Sequence, residues 1–180
     1  MTHISIPTAA RADDGTAIAY RTRGTGPVDV LFMHGWAGSG ANFQETLKYL
    51  DLTGVRVIAV DLRGHGDSDK PEGTFSLDRV AQDILAVADH LDSARFVVVG
   101  FSMSAKFAQY LACIAPGRVR GQMLVSGCPT GEIPFPAETH QAPIPGARLV
   151  LLDANHEIPV ERPRELAGLL EAFLAGLRPD

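Results

Sequence analysis

A serine in a tight turn is the residue of this sequence best placed to do chemistry. Three valines at 97–99 run into the turn Gly100-Phe101-Ser102-Met103-Ser104, and a segment compatible with a helix follows at once. This strand–turn–helix pattern would push the Ser102 hydroxyl out of the sheet edge and direct the first amides of the helix at the same point. Small residues at both ends of the turn would let the strand and the helix approach closely, although the usual pattern has glycine where Ser104 stands. The pattern predicts a nucleophilic serine.

Such a serine needs a general base, because its hydroxyl is a poor nucleophile at neutral pH until an imidazole accepts its proton. Three predicted strands are followed by polar segments, the first two of which contain glycine. They are His34-Gly35-Trp36-Ala37-Gly38, Asp61-Leu62-Arg63-Gly64-His65-Gly66-Asp67-Ser68 and Asp153-Ala154-Asn155-His156. If these strands are parallel, the three segments lie at the same sheet edge as Ser102, which is where ligands bind in such sheets. The amides of the glycine-rich loop 35–40 could then approach a substrate oxygen without obstruction by side chains.

The elements that must position these residues alternate between strand and helix. Two strands are predicted to form a hairpin at Asp13-Asp14-Gly15. The hydrophobic periodicity predicts strands at 4–10, 16–23, 28–33, 55–60, 96–99, 119–126 and 149–152, and helices at 42–50, 77–91, 106–115 and 166–177. This alternation predicts an α/β fold, with an N-terminal antiparallel hairpin and a mostly parallel sheet that carries helices on both faces.

Length and composition fit one globular domain over residues 1–180. The net charge of −5 argues against a nucleic-acid partner or an anionic membrane surface, and no apolar run approaches the length of a membrane span. Cys113 and Cys128 match no metal spacing and favour reduced thiols in a cytoplasmic protein. The spacing of the histidines at 34, 65 and 156 matches no zinc signature, and the glycine loops lack the lysine of a phosphate-binding loop. We therefore expect no metal and no cofactor.

Together these motifs resemble those of the α/β-hydrolase superfamily, over roughly residues 16–129 and 147–177. The resemblance depends on His34-Gly35, on the segment 61–68, on Gly100-x-Ser102, and on a late His156 followed by Pro159. The subgroup that it resembles contains cofactor-free esterases, lactonases, carbon–carbon bond hydrolases and haloperoxidase-like perhydrolases.

The resemblance implies a role for each of these residues. Ser102 would be the nucleophile and His156 the general base, and the backbone amides of Trp36 and Met103 would form the oxyanion hole. His34, Arg63 and His65 would order the loops around the site rather than react.

The acid of the catalytic triad is not evident. In this family the order along the chain is serine, then aspartate or glutamate, then histidine. Between the strand that follows Ser102 and the strand expected before His156 lies the segment 127–147, which contains five prolines. A segment of this kind cannot hold another strand with its crossover helix. The strand–helix unit that normally carries the acid, and the helical cap of many relatives, are therefore expected to be missing, with the sheet truncated on this side.

Three explanations remain open. The acid could be Glu132, shortly after the strand at 119–126, or Asp153, three residues before His156. Alternatively, residues were lost near 137–142, and the acid is absent from this sequence.

The sequence predicts a serine hydrolase that cleaves a carboxylic ester, thioester or lactone through an acyl-enzyme. The substrate would be small and apolar, in a pocket lined by Gly35, Phe101 and Ile158, with Trp36, Met103 and Phe135 nearby. A perhydrolase of haloperoxidase type and a non-catalytic, ligand-binding relative are the alternatives. A serine at the turn argues against the aspartate nucleophile of dehalogenases and epoxide hydrolases. The oligomeric state stays open.

Overall fold

The computed structural model describes residues 8–73, 75–127, 148 and 150–177. Within these residues, one mixed sheet has the strand order β1-β2-β4-β3-β5-β6. Its strands are β1 (Thr8–Arg11), β2 (Ala17–Arg23), β3 (Val28–Met33), β4 (Val55–Val60), β5 (Phe96–Phe101) and β6 (Val119–Val125). The helices are α1 (Gln44–Leu47), which continues a 3-10 turn at Gly40–Phe43, α2 (Leu77–His90), α3 (Ser104–Ile114), α4 (Ile158–Glu161) and α5 (Pro163–Ala175).

The direction of the strands confirms the predicted hairpin and the predicted parallel sheet. β1 and β2 pair antiparallel, and β2 also pairs antiparallel with β4. From β4 through β3 and β5 to β6 all pairs are parallel, so the carboxyl ends of four strands meet at one edge. The segments that follow β3, β4 and β5 therefore lie together, as the alternation of strands and helices predicts.

The sheet is covered on both faces. On one face Leu31, Ile58 and Val98 pack with α2 and α3, and on the other Val30, Val57 and Val97 pack with α1 and α5. Neighbouring residues of one strand thus enter opposite cores, as the alternation of side chains along a strand requires. β3 and β5 are buried along almost their whole length, which explains their continuous apolar sequence.

The strand predicted at 149–152 is wrong for the residues that the structure describes there, since residues 150–152 form no strand. Leu151 is 85% exposed. A short apolar run becomes a strand only beside a hydrogen-bonded neighbour, and the described sheet ends at β6. Residues 4–7 of the first predicted strand lie outside the described residues.

Three helices begin at different points from those predicted. α3 begins at Ser104, directly after the turn, and α5 begins at Pro163, whose missing N–H and fixed φ suit a first helical position. The helix predicted at 42–50 begins as the 3-10 turn at Gly40–Phe43, and α1 ends at Leu47. In the described ranges, no helix has both the length and the apolar character needed to cross a membrane.

Candidate active site

The turn between β5 and α3 holds Ser102 in a strained conformation. Ser102 has a φ of +53°, which is uncommon for a residue other than glycine, and its N–H donates to the carbonyl of Val125 at 2.9 Å. A side chain at Gly100 would overlap the carbonyl oxygen of Ser104, so this position requires glycine. The strand and the helix approach closely here, as predicted, and the strained turn presents the serine at the sheet edge.

The contacts of Ser104 explain why a serine stands where the usual turn has glycine. Its side chain is fully buried, and its hydroxyl donates to the carbonyl oxygen of His34. The start of α3 is thereby joined to the end of β3. A glycine at this position could not make this bond.

His156 lies beside the serine. Its Nε2 atom is 2.6 Å from Ser102 Oγ, and its ring packs against Phe101 with the ring centroids 5.4 Å apart. The backbone carbonyl of His156 accepts a hydrogen bond from Ser126 Oγ at 2.7 Å. Farther along this segment, Thr46 Oγ1 donates to the carbonyl of Pro159 at 3.0 Å. The structure therefore brings together the predicted nucleophile and the predicted base.

His34 orders its surroundings, as predicted. Its Nε2 accepts the N–H of Leu62 at 3.0 Å, so the proton lies on Nδ1, which is 2.7 Å from the carbonyl oxygen of Gly35. Burial lowers the pKa of His34 below its ordinary value, and this burial outweighs the opposing effect of the Gly35 carbonyl. A neutral histidine thus ties the loop after β3 to the loop after β4.

The loop after β3 lies directly against the serine. A Cβ atom on Gly35 would be 3.1 Å from the Phe101 ring and from Ser102 Cβ. Trp36 follows with its side chain 77% exposed. Within the described part of the chain, no acceptor binds the amide N–H of Trp36 or that of Met103. Met103 comes immediately before α3, where backbone amides have no partner within the helix.

Asp61 organises two loops, a role that the sequence analysis missed. Its buried carboxylate accepts the N–H of Gly40 at 2.7 Å, the N–H of Asp67 at 2.9 Å and a guanidinium N–H of Arg21 at 3.1 Å. Burial acts to raise the pKa of Asp61, but these donors outweigh it and the pKa is lowered. The sequence places this residue directly after a buried strand, but it does not show that its donors come from three separate segments.

Arg63 extends this support to α2, beyond the loop that it was predicted to order. Its Nε and Nη2 atoms lie 2.5 and 2.7 Å from the two carboxylate oxygens of Asp83. Nη2 also donates to Asp14 in the hairpin, at 3.0 Å. His65 makes its hydrogen bond within its own loop, with Nδ1 3.0 Å from the carbonyl oxygen of Arg63, and its ring packs against that of His34 with the centroids 5.0 Å apart.

Among the described residues, no carboxylate is hydrogen-bonded to His156. The side chain of Asp153 is fully exposed, and its carboxylate lies 3.9 Å from Arg162. Glu132 lies outside the described residues, as does Phe135, and both stay predictions. Nor does the described part of the chain contain a group of three or more histidine, cysteine, aspartate or glutamate residues that could hold a metal ion.

Of the predicted pocket residues, Phe101 is buried beneath the His156 ring, and its ring also contacts Phe43. Ile158 is partly buried and packs against the core shared by β3, β5 and α5. Gly35 is the member of this set that contacts the serine turn directly.

A six-stranded mixed sheet with a serine turn after β5 and a histidine beside it is the architecture of an α/β hydrolase. The family model described as the alpha/beta hydrolase fold matches residues 29–163. The chain belongs to this family.

The chain is similar to several individual proteins. A non-heme chloroperoxidase of Streptomyces lividans is 39% identical over 120 residues, which are 64% of this chain and 43% of the relative. The solved esterase EaEST from Exiguobacterium antarcticum superposes with a TM-score of 0.62 at 32% identity, over 68% of this chain and 46% of that one. For Est816, an N-acyl homoserine lactone degrading enzyme, the TM-score is 0.60 and the identity 35%, over 67% of this chain and 45% of that one. The chain spans about half the length of the curated relatives it matches.

Proposed function

We propose that the protein is a serine hydrolase that cleaves a carboxylic ester, thioester or lactone through an acyl-enzyme. The observation that carries this proposal is the 2.6 Å distance between His156 Nε2 and Ser102 Oγ, at a turn strained by a φ of +53°. A nucleophile within hydrogen-bond reach of a base is the arrangement that covalent catalysis by serine needs.

In the proposed reaction, His156 Nε2 accepts the hydroxyl proton as Ser102 Oγ attacks the carbonyl carbon of the substrate. The protonated histidine then gives this proton to the leaving alcohol or thiol, which leaves an acyl group on Ser102. Water attacks the acyl-enzyme with the same histidine as base, and this step releases the acid and restores Ser102.

The amides of Trp36 and Met103 are the proposed donors to the oxyanion of each tetrahedral intermediate. Their lack of acceptors within the described residues supports this role. A donor of this kind is typically worth about 3–4 kcal/mol of transition-state stabilisation. Neutral His34 holds the first residues of the oxyanion loop through Gly35 and presents no positive charge beneath it.

We propose Glu132 as the acid that orients His156, because the strand end at β6 already contacts the histidine loop through Ser126. A serine–histidine pair without its acid keeps part of its activity, since the oxyanion donors and substrate binding contribute independently. If Glu132 is the acid, Glu132→Gln lowers the rate of p-nitrophenyl acetate hydrolysis. An unchanged rate would eliminate Glu132.

The proposed substrate class is based on the chemistry of the Ser102–His156 pair and on the named activities of similar proteins. A small apolar substrate fits a site with Phe101 against the histidine ring and Gly35 against the serine, with the partly buried Ile158 two residues after the histidine. Relatives named for ester and for lactone cleavage both support acyl transfer to water. We propose that the reaction needs no cofactor. We also propose that residues 1–180 form a single domain, that it acts in the cytoplasm, and that it has no nucleic-acid or membrane partner.

A second candidate is a perhydrolase, in which hydrogen peroxide replaces water in the attack on the acyl-enzyme. The non-heme chloroperoxidase relative favours it. A third candidate is a ligand-binding protein that keeps the fold without turnover, which the missing acid among the described residues favours. The three differ in whether the serine reacts and in which nucleophile removes the acyl group.

Labelling with a fluorophosphonate probe tests the proposal. We expect the wild-type protein to be labelled at one site, and Ser102→Ala and His156→Ala to lose the label. Ser93→Ala is the matched control, because Ser93 is buried before β5 and its hydroxyl has no hydrogen-bond partner in the part of the chain that the structure describes. If the folded wild-type protein is not labelled, the serine-hydrolase proposal is wrong and a ligand-binding protein without turnover is favoured. Peracid formation from acetate and peroxide, measured beside ester hydrolysis, distinguishes the perhydrolase.

A further inference from the structure

The end of β6 contacts both reactive residues. Val125, the last residue of the strand, accepts the backbone N–H of Ser102 at 2.9 Å. Ser126, the next residue, donates from Oγ to the carbonyl of His156 at 2.7 Å. Two successive residues of one strand end thus hold the nucleophile and the base.

No described strand supports His156, so its position depends on contacts made by side chains. The segment before it is held by Glu161, which accepts the N–H of Asn155 at 2.9 Å, and by Arg162, which donates to the carbonyl of Asp153 at 2.8 Å. Residues 150–157 form neither helix nor strand, and His156 itself is exposed. Within the described residues, the bond from Ser126 is the hydrogen bond that its backbone makes. The Phe101 ring packs against the imidazole, with the ring centroids 5.4 Å apart, and makes no hydrogen bond to it.

The strained backbone conformation of Ser126 indicates that this residue has a functional role. Its φ is +49°, in the left-handed region where glycine and asparagine are much more common than serine. Backbone strain of this kind persists where the surrounding structure requires it, and it is concentrated at functional sites.

The surroundings fix Ser126 relative to the nucleophile. A Cβ atom on the next residue, Gly127, would lie 2.8 Å from Ala105 Cβ, so the chain leaving β6 runs close to the first turn of α3. The N–H of Ala105 donates to the carbonyl of Ser102 at 3.0 Å. The Ser126 hydroxyl therefore projects from the same rigid corner that carries Ser102.

We propose that Ser126 is a positioning residue that holds His156 at hydrogen-bonding distance from Ser102. This inference rests on the proposed serine hydrolase. Ser126 acts on the backbone of His156, and it touches neither the substrate nor the reacting atoms. By holding the backbone of His156, it contributes to the orientation of the histidine, which the acid of a catalytic triad also fixes.

The test compares Ser126→Ala with Ser126→Asn. Alanine removes the hydroxyl and keeps the same backbone constraint, whereas asparagine tolerates the positive φ and offers an amide N–H to the His156 carbonyl. A misplacement of about 1 Å can lower a catalysed rate by about 100-fold. With p-nitrophenyl acetate we therefore expect Ser126→Ala to lower kcat by about 10- to 100-fold with an unchanged KM, and Ser126→Asn to recover most of the loss.

A second measurement does not depend on turnover. The imidazole resonances of His156, assigned with His156→Gln, should shift or broaden in Ser126→Ala and return in Ser126→Asn, while Ser93→Ala leaves them unchanged. Unshifted resonances together with an unchanged kcat in Ser126→Ala would overturn the positioning role. Failure of the wild-type protein to react with the fluorophosphonate would instead overturn the proposed function, and the resonances would still report on Ser126.

Discussion

The Nε2 atom of His156 lies 2.6 Å from the Oγ atom of Ser102, although 54 residues separate the two and no described strand leads to the histidine. Contacts from other elements hold the segment that carries it, among them Ser126 to the His156 carbonyl, Thr46 to the Pro159 carbonyl, and the Phe101 ring. The pair therefore forms on a sheet that ends at β6 within the described residues.

Gly35→Ala should impair catalysis more than stability. The added methyl group would lie 3.1 Å from Ser102 Cβ and from the ring of Phe101, which is buried and cannot move aside. The oxyanion loop must therefore shift, and we expect kcat for p-nitrophenyl acetate to fall by about 100-fold. Gly117→Ala is the control, because its added Cβ meets nothing within 4 Å. Equal rates for the two variants would show that the loop tolerates the shift.

His34 should make stability depend on pH. Its pKa is lowered by burial from the ordinary value of 6.5, so the folded protein favours the neutral ring while the unfolded chain takes up a proton below that pH. This contribution is fully present above pH 6.5 and is lost as the pH falls towards the lowered pKa. Its slope cannot exceed about 1.4 kcal/mol per pH unit, which corresponds to one proton. Urea unfolding between pH 5 and 8 should show a flatter dependence in His34→Asn than in the wild type. Parallel curves for the two proteins would refute the assignment.

Much of this site could be predicted because its signals are local in the sequence. The turn around Ser102 needs a small residue at Gly100, and the buried strands before His34 and Asp61 need continuous apolar runs. These requirements lie within a few residues of each other. The mostly parallel sheet with helices on both faces then follows from the alternation of strands and helices, whereas the order of its strands does not.

What could not be predicted depends on partners distant in the sequence. The run at 150–152 has the composition of a strand but pairs with no strand among the described residues, and Leu151 is exposed. Ser104 departs from the usual pattern for the sake of the His34 carbonyl, 70 residues away. Asp61 draws its donors from three segments. Such contacts have no periodicity that a single sequence could reveal.

The buried pair of Arg63 and Asp83 should be costly to break. Both side chains are almost inaccessible. Among the described residues, Asp83→Asn therefore leaves the buried guanidinium with the partly exposed Asp14 as its remaining charged partner. Breaking a buried pair on one side typically costs about 3–5 kcal/mol, whereas an exposed pair contributes about 1 kcal/mol or less. Asp89→Asn, which breaks the exposed pair with Arg118, is the control. Urea unfolding measures both, and a similar loss in the two variants would contradict the role assigned to Arg63.

Gly168→Ala should stabilise the protein. Gly168 lies exposed in the middle of α5, and an added Cβ meets nothing within 4 Å. Glycine within a helix costs about 0.5–1 kcal/mol relative to alanine, because it loses more backbone freedom on folding. Gly15→Ala adds a methyl group into equally open space, but at a φ of +83° in the hairpin turn, so it should destabilise. In thermal unfolding, the Tm should therefore rise in Gly168→Ala and fall in Gly15→Ala. The rate of ester hydrolysis by Gly168→Ala should equal that of the wild type. A lower Tm for Gly168→Ala would mean that this face of α5 is covered in the folded protein.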